Sequence, residues 1–406
     1  MPVNYARLVE LFRQKDGEEA VDILRESMSG YEPDRQTRRR PDVNPYEVEL
    51  GRLFEECFGW SEFQACRRGG RDYLATHVME RALTEAEGAV STSAFLNITG
   101  QIVYSMVLDK YQNTANVFTP LIPEVQTAFL DGEKAAGVTQ IGDEVQVRNE
   151  SDPYQLAGVG EDWIFTPVLK DRGMVVPVTW EAIFADRTGQ LQERCSAVGE
   201  WGGINREKRA INCVIDENVT AHRYNWRGTV IASYGDNSGT HTWDNLAASN
   251  GLTDWQNVNT VEQLFNEMLD PYTSEPIDIE PVHLVVTKQL EQTARRIVRQ
   301  GTIQWTTPGY ATSGNVSHHH GDNPYGSKYE VVTSKRIAPL QATDTSWFLG
   351  DIGKYAKYMQ AEKPTVMQAP PNAPEEFHRR IVSQYRFNER GAYVCVQPRA
   401  MCKSTV

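Results

Sequence analysis

The chain has 406 residues, 40% of them hydrophobic and 23% charged, and a formal net charge of -13. That length supports two or three substructures around a sizeable core, and the composition excludes a disordered polymer. The acidic balance excludes a surface-wide nucleic-acid binder, because neutralising phosphates needs clustered Lys and Arg. It is compatible with a container that does not stick to nucleic acid held inside it.

No run of about 18 apolar residues occurs, so no membrane span is expected. The opening Met1-Pro2-Val3-Asn4-Tyr5-Ala6-Arg7 lacks the basic-then-apolar shape of a secretion signal. Cys57, Cys66, Cys195, Cys213, Cys395 and Cys402 are scattered with no CxxC pair. They read as reduced, buried thiols of a protein made in a cytoplasm.

Residues 1–90 form a distinct helical block. Asn4 to Met28 is amphipathic through Leu8, Val9, Leu11, Phe12, Val21, Ile23 and Leu24, with an interruption at Gly17. A Pro-punctuated connector, Tyr31 to Pro45, carries Arg38-Arg39-Arg40. Acidic residues surround this triplet, so a solvated linker is favoured over a nucleic-acid contact. Further helical sections are predicted over Tyr46–Phe58 and Tyr73–Leu83. Ser91-Thr92-Ser93 offers N-caps for a helix over Ala94–Tyr111, with Phe95, Ile98, Ile102, Met106 and Val107 on one side. Asn113 to Pro123 reads as extended.

Asp131 to about Val178 reads as a long two-stranded excursion. Glu144–Arg148 alternates, Trp163–Leu169 and Met174–Val178 are strand-like, and Lys170-Asp171-Arg172-Gly173 is a turn signal. The period then changes to helical. Asp186 and Thr188 are N-cap candidates for a helix over Leu191–Asp216, which would span about 39 Å at 1.5 Å per residue. Leu191, Cys195, Val198, Trp201, Ile204, Ile211, Val214 and Ile215 fit one broad face of it. Gly199, Gly202 and Gly203 fall in its middle, each costing about 1 kcal/mol against Ala. They read either as close packing or a local break, or as a point where the helix flexes between assembly states. A β-arm feeding a long helix suits a protein that holds copies of itself.

Glu217 to Val258 suggests loops and short strands. Thr260 with Gln263 fits a capping box opening a helix over Val261–Leu269. Pro281–Val286 is a buried-strand pattern, Thr287 can cap a helix running to Gln300, and Gly301 can end it in the left-handed region. Thr302 to Ser327 reads as a polar loop. Glu330–Thr333 and Trp347–Leu349 read as strands, Pro364–Pro374 as an extended connector. After a turn at Arg390-Gly391 comes the strand Ala392–Val396.

No pattern for chemistry emerges. Gly132-Glu133-Lys134 has no phosphate-loop context, and neither a GxSxG elbow nor an HExxH occurs. His318-His319-His320 with Asp322 is expected to be an unliganded surface loop, because consecutive loop histidines rarely converge on one ion. Glu55-Glu56 and Glu375-Glu376 read as solvated faces, His283 as a satisfied core or boundary histidine. The sequons at Asn97 and Asn218 carry no meaning without a signal peptide. No catalytic residue, cofactor or metal is expected.

The ending resembles the C-terminal segment of tailed-bacteriophage major capsid proteins, a fold also used by encapsulins. The residues are Glu376-Phe377, Arg386, Glu389-Arg390-Gly391-Ala392, Val394 and Pro398-Arg399-Ala400. Met174–Ile183 before an Asp-initiated long helix is similar to the family's extended loop running into its spine helix. Val282–Thr287 followed by Leu290 and Ala294-Arg295 is similar to its axial strand and helix. The resemblance covers about residues 94–406 and rests on the ordered set of motifs.

The resemblance implies an α+β capsid fold. Its parts would be a helical N-terminal scaffold-like region over 1–90, an N-terminal helix and arm over 91–130, and an extended β-hairpin loop over 131–180. A spine helix of the peripheral domain would follow over 181–216, then an axial α/β domain over 217–328 and a return to the peripheral domain over 329–406. Trp163, Ile164, Phe165, Lys170 and Arg172 would meet a neighbouring copy, and Gly199, Gly202 and Gly203 would be the flex point of the spine helix. The implied partners are the chain itself in hexamers and pentamers, packaged double-stranded DNA contacted non-specifically, and scaffold, portal and decoration proteins. The place is a virion made in a bacterial cytoplasm. Some members weld their shell by a Lys–Asn isopeptide bond. Here the acceptor position falls at Ile381 and the activating Glu position at Asn388, so no cross-link is expected even though Lys170 lies on the arm. Residues 1–90 are either cleaved on maturation or kept. An encapsulin-like cage is the alternative, an unrelated hydrolase a more distant one.

Overall fold

Apolar stripes at helical spacing become the two longest helices, Ala86–Asn113 and Thr188–Ile215. The structure, a computed structural model, describes residues 8–10, 23–24, 31–32, 37–38, 44–73, 86–130, 132, 134–139, 160–179, 188–217, 219–226, 228–238, 243–269, 276–308, 316–341, 345–368 and 381–406. Gly17, Arg39, Arg40, 140–159, 180–187 and 369–380 lie outside that set. The predictions over Glu144–Arg148, Asp186 and Glu375-Glu376 therefore fall outside it too. The chain divides into a unit of Met1–Ala115, Asp171–Asn205 and Glu362–Arg390, and a unit of Asn116–Lys170, Arg206–Ala361 and Gly391–Val406.

The first unit is helices against a strand pair. Pro45–Glu47 is a 3-10 turn capped by Asn44, followed by the helices Leu50–Phe58 and Trp60–Tyr73. The helix expected over Tyr73–Leu83 lies, apart from Tyr73, outside the described residues. Leu50, Leu53, Phe54 and Cys57 turn to the core, where Phe54 meets Phe95 edge to face at 5.4 Å. On Ala86–Asn113 the buried residues Phe95, Ile98, Ile102 and Met106 recur three or four apart, and Val103 and Val107 widen the same side, as a one-sided helix requires. Leu8, Val9 and Leu24 join the same core.

Asp171–Thr179 pairs antiparallel with the strand beginning at Ile381, with Val176 opposite Tyr385 and Met174 opposite Phe387. This corrects the two-stranded excursion: Met174–Val178 does not pair with Trp163–Leu169. Val176, Val178, Tyr385 and Phe387 are buried in the helical core. Such a strand is stable only beside a partner that covers the same face, and that partner is distant in sequence. The strand Ile381–Cys395 also runs through the turn expected at Arg390-Gly391, and Ala356–Gln368 is a strand over the first half of the expected Pro-rich connector.

The second unit is built on a five-stranded sheet. Its order is Glu330–Thr333, His283–Val286, Trp347–Gly350, Met401–Ser404 and Leu246–Ala247. His283–Val286 runs parallel to Glu330–Thr333 and antiparallel to Trp347–Gly350. Its three central strands are buried along their whole length. Leu284, Val286, Trp347, Leu349 and Cys402 face the helices Trp255–Asn266 and Glu291–Arg299 in one core. Val285, Phe348 and Met401 alternate onto a second core with Ile211, Val214 and Tyr355. Burial on both faces explains the continuous apolar runs in the sequence.

Two helix ends differ from expectation. Trp255–Asn266 starts earlier than Val261, because Asp254 and Asn257 form the capping box. Thr260 instead bonds the Gln256 carbonyl inside the helix. Glu291–Arg299 ends at an extended Gln300, and Gly301 is not left-handed. The expected loop Thr302–Ser327 is largely a hairpin, Thr302–Pro308 with Val316–Asp322.

Candidate assembly surface

Lys134–Thr139 and Gly160–Phe165 form an antiparallel hairpin in the second unit, and Ile164 pairs on with Trp226. Alternation divides the three aromatic and aliphatic residues expected to meet a neighbour. Ile164 is buried in its own chain beside Phe118, Ile211 and Tyr224, which corrects the expectation that a second copy covers it. Burial there is worth about 1.5–3 kcal/mol to this chain alone. Trp163 and Phe165 are half-buried and meet edge to face at 4.7 Å, with the Lys134 ammonium 4.4 Å from the Trp163 ring centre. Val168 and Lys170 are exposed, while Leu169 is buried against Met359 and Val394. Arg172 lies in the other unit, opposite Glu389 in the strand pair.

Gly199, Gly202 and Gly203 sit within an uninterrupted helix. A methyl group at Gly199 would lie 2.3 Å from the Val107 carbonyl oxygen and 2.9 Å from the Lys110 Cβ. At Gly203 it would lie 2.6 Å from the Thr114 hydroxyl oxygen, and at Gly202 3.1 Å from the Tyr111 ring. Their spacing puts all three on the side that meets Ala86–Asn113. Hydrogen at these positions lets the backbones touch, which offsets the poor helix propensity. Trp201, expected on the core face, is 64% exposed on the other side.

Buried ions set the second unit, and sequence reasoning missed them. The Glu207 carboxylate accepts the N–H groups of Val117, Phe118 and Thr119 at 2.8, 2.9 and 3.0 Å and the Thr119 hydroxyl at 2.8 Å. It thereby pins the segment leading into the 3-10 turn Thr119–Leu121. Arg206, one residue earlier, pairs with Glu124 and lies 4.4 Å from the Tyr358 ring centre. Asp216 ends the helix in the left-handed region at φ 52°. Its carboxylate meets Arg223 Nε at 2.9 Å and the Ser233 N–H at 2.8 Å. Burial alone would raise the Asp216 carboxyl. His222, the Ser233 N–H and Arg223 outweigh that and hold it below the usual aspartate range. Glu207 and Arg206 take their partners from a segment more than 80 residues away, and Asp216 takes its partners from the chain that follows the helix, so no local pattern announces them.

A family profile described as a phage capsid protein matches residues 164–404. The chain belongs to that family. Among solved structures it is similar to a virus-like particle from Pyrococcus furiosus, at 8% identity and TM-score 0.37, covering 75% of this chain and 97% of that one. It is also similar to a structure from Gordonia phage Cozz, at 10% identity and TM-score 0.42, covering 71% and 86%. A third is the SrpI encapsulin complex of Synechococcus elongatus, at 11% identity and TM-score 0.40, covering 72% and 88%. No curated protein matches.

This is a capsid shell protein of mixed helix and sheet. All six cysteines are buried. Burial pushes the Cys66, Cys195 and Cys395 thiols up to about 12, far from the depressed values of reactive thiols. No cluster of three His, Cys, Asp or Glu side chains able to hold a metal occurs among the described residues, a set that leaves out the side chains of His318 and His319. No helix of the described residues is long and apolar enough to cross a membrane.

Proposed function

We propose that this chain is the major capsid protein of a tailed double-stranded DNA phage or prophage, assembling through hexamers and pentamers into an icosahedral head. The family match over 164–404 carries the proposal. The half-buried Trp163–Phe165 pair supports it, because a hairpin that keeps two aromatic rings partly open leaves apolar area for a neighbouring copy. A contact in which that hairpin lies on a different surface of the next copy is heterologous, and heterologous contacts close into rings. Packaged DNA is contacted without sequence preference, and scaffold, portal and decoration proteins are the further partners. The shell is held without covalent cross-links. The spine helix keeps its glycines for the close helix contact, and residues 1–90 remain in the shell through Leu8, Val9 and Leu24.

Particles purified from producing cells test this. They should protect double-stranded DNA from nuclease, migrate as a single 45.9 kDa band on a denaturing gel, and give the intact mass. Particles that hold enzyme cargo and no DNA overturn the phage reading. A ladder of covalent oligomers overturns the uncross-linked shell. Loss of roughly the first 90 residues, the helical block, overturns its retention.

A further inference from the structure

The strand Glu330–Thr333 stands at one end of the five-stranded sheet, so among the described residues its outer edge has no neighbour. On the inner side the Glu330 N–H donates to the Val282 carbonyl. Alternation then turns the N–H and C=O groups of Val331 and Thr333 outward, to the open edge. Beside that edge lies a cavity of about 370 Å³. Its walls are Arg295, Val298 and Arg299 of the helix Glu291–Arg299 and Tyr329 to Val331 at the start of the strand, with Ser327 completing it. Arg295 and Arg299 are four apart and share a helix face. Arg295 Nε meets Glu291 at 2.8 Å, and Lys288 pairs with the same carboxylate. The exposed Arg299 has no ion-pair partner among the described residues. A helix C-terminus ordinarily disfavours anions. Here its carbonyls are already engaged: Asn323 Nδ2 donates to those of Ile297 and Gln300 at 2.6 and 2.8 Å, and the Ser327 N–H donates to that of Val298 at 2.9 Å. The acidic residue of the lining, Glu330, alternates with Val331 and so turns to the sheet face of Val332, while Val331 packs on the helix side.

We infer that this edge docks an extended acidic peptide of a partner protein, which adds as a strand beside Glu330–Thr333 and sets a carboxylate on Arg299 and Arg295. An open strand edge offers peptide-spaced donors and acceptors, and an adjacent pocket gives such an addition its side-chain preference. The planar guanidinium fork matches a carboxylate with two parallel hydrogen bonds. Val298, Val331 and the ring of Tyr329 supply an apolar wall for the side chain beside that carboxylate. Charge complementarity sets the sign of the partner. From Lys288 to Arg299 four basic residues, Lys288, Arg295, Arg296 and Arg299, stand against one acidic residue, Glu291, in a chain whose net charge is -13. A nucleic-acid backbone is matched by a broad basic surface. Two guanidiniums beside a peptide edge match a strand with a carboxylate.

The probe is a labelled, end-blocked peptide of about six alternating valines and aspartates, the length of an ordinary strand, titrated with the full chain and read by fluorescence anisotropy. Saturable binding is expected, weakened at least about tenfold by Arg299→Gln, as loss of a hydrogen bond between charged groups requires. Arg295→Gln should weaken it by a smaller factor, because Glu291 already holds that side chain. Arg296→Gln should leave it unchanged, because the Arg296 guanidinium donates to the Thr253 carbonyl outside the cavity. Asparagine in place of the peptide's aspartates should cost at least as much as Arg299→Gln, and the bound peptide should slow hydrogen exchange at the Val331 and Thr333 amides. Absence of peptide binding to the wild-type chain overturns the inference. So does an equal loss on Arg296→Gln and Arg299→Gln, the behaviour of a diffuse basic patch, and so does unchanged exchange at Val331 and Thr333. Displacement of the peptide by a DNA duplex would assign the pocket to phosphate. Self-association abolished by Arg299→Gln, with no peptide bound, would assign the edge to a second copy. Either result overturns the acidic-peptide assignment. The asparagine peptide reads the charge requirement on the wild-type chain, whatever the variants do to folding.

Discussion

The two halves of the helix Thr188–Ile215 fix their neighbours by opposite means. Up to Asn205 it carries Gly199, Gly202 and Gly203 and gives up side chains so that the Ala86–Asn113 helix can touch its backbone. From Arg206 onward it carries buried ions, and Glu207 reaches out to hold backbone N–H groups of another segment. At Gly199 and Gly203 the first half works by steric fit and leaves no room for an added methyl. The second works by satisfied hydrogen bonds and tolerates no lost acceptor. Apolar periodicity reports neither, because a glycine and a buried carboxylate both count against a helix core.

The contrast can be broken at its strongest point first. Glu207→Ala leaves the N–H groups of Val117, Phe118 and Thr119 without their acceptor. An unsatisfied buried donor costs about 1–3 kcal/mol, which applies in full to Phe118 and less to the part-buried Val117 and Thr119 donors, so a loss of about 2–4 kcal/mol in denaturant unfolding is expected. A loss below about 1 kcal/mol shows that water replaces the carboxylate. Gly199→Ala comes next. Helix propensity favours Ala by about 1 kcal/mol, but the methyl must displace the Val107 carbonyl, so a net loss of about 1–3 kcal/mol is expected. Gly189→Ala, in the same helix with open space around it, should be neutral or stabilising. If Gly199→Ala is also stabilising, the glycines serve flexing and not fit.

Asp216 sharpens the ionic side through pH. Its carboxyl is held below the ordinary value of 3.8. A depressed folded-state pKa contributes stability that is full above the unfolded value and is lost as pH falls through the folded one. Asp216→Asn should therefore lower stability at neutral pH and flatten the loss on acidification below about pH 4. Identical acid limbs for the two proteins would remove Asp216 from the account. The smallest effect is on the thiols. All six are buried, so a thiol reagent should label the native chain slowly and all six rapidly after denaturation. Fast labelling of one thiol in the native chain would mark a region that opens.

What was legible in the sequence follows the range of the forces. Leu284–Val286 and Trp347–Leu349 were readable because strands buried on both faces are apolar without a break. The long helices were readable because Phe95 to Val107 and Leu191 to Ile215 repeat locally. The hairpin was assigned the wrong partner because the turn signal at Lys170–Gly173 is local, whereas Val176 is held by Tyr385 from the far end of the chain. The histidine strand looked like loop because Ser317 to Asp322 has no apolar alternation, and only pairing with Thr302–Pro308 makes it a strand. Of the expected contact residues, Ile164 was lost to the chain's own core because nothing local tells which face of a strand turns inward. Glu207 and Asp216 were invisible because nothing local tells which carboxylate turns inward.

Negative-stain microscopy of the purified full-length chain tests the central claim most directly. A capsid shell protein should give uniform closed shells or capsomer rings, and Trp163→Ala with Phe165→Ala should shift these toward free subunits. A small monodisperse globule at every concentration would contradict the account.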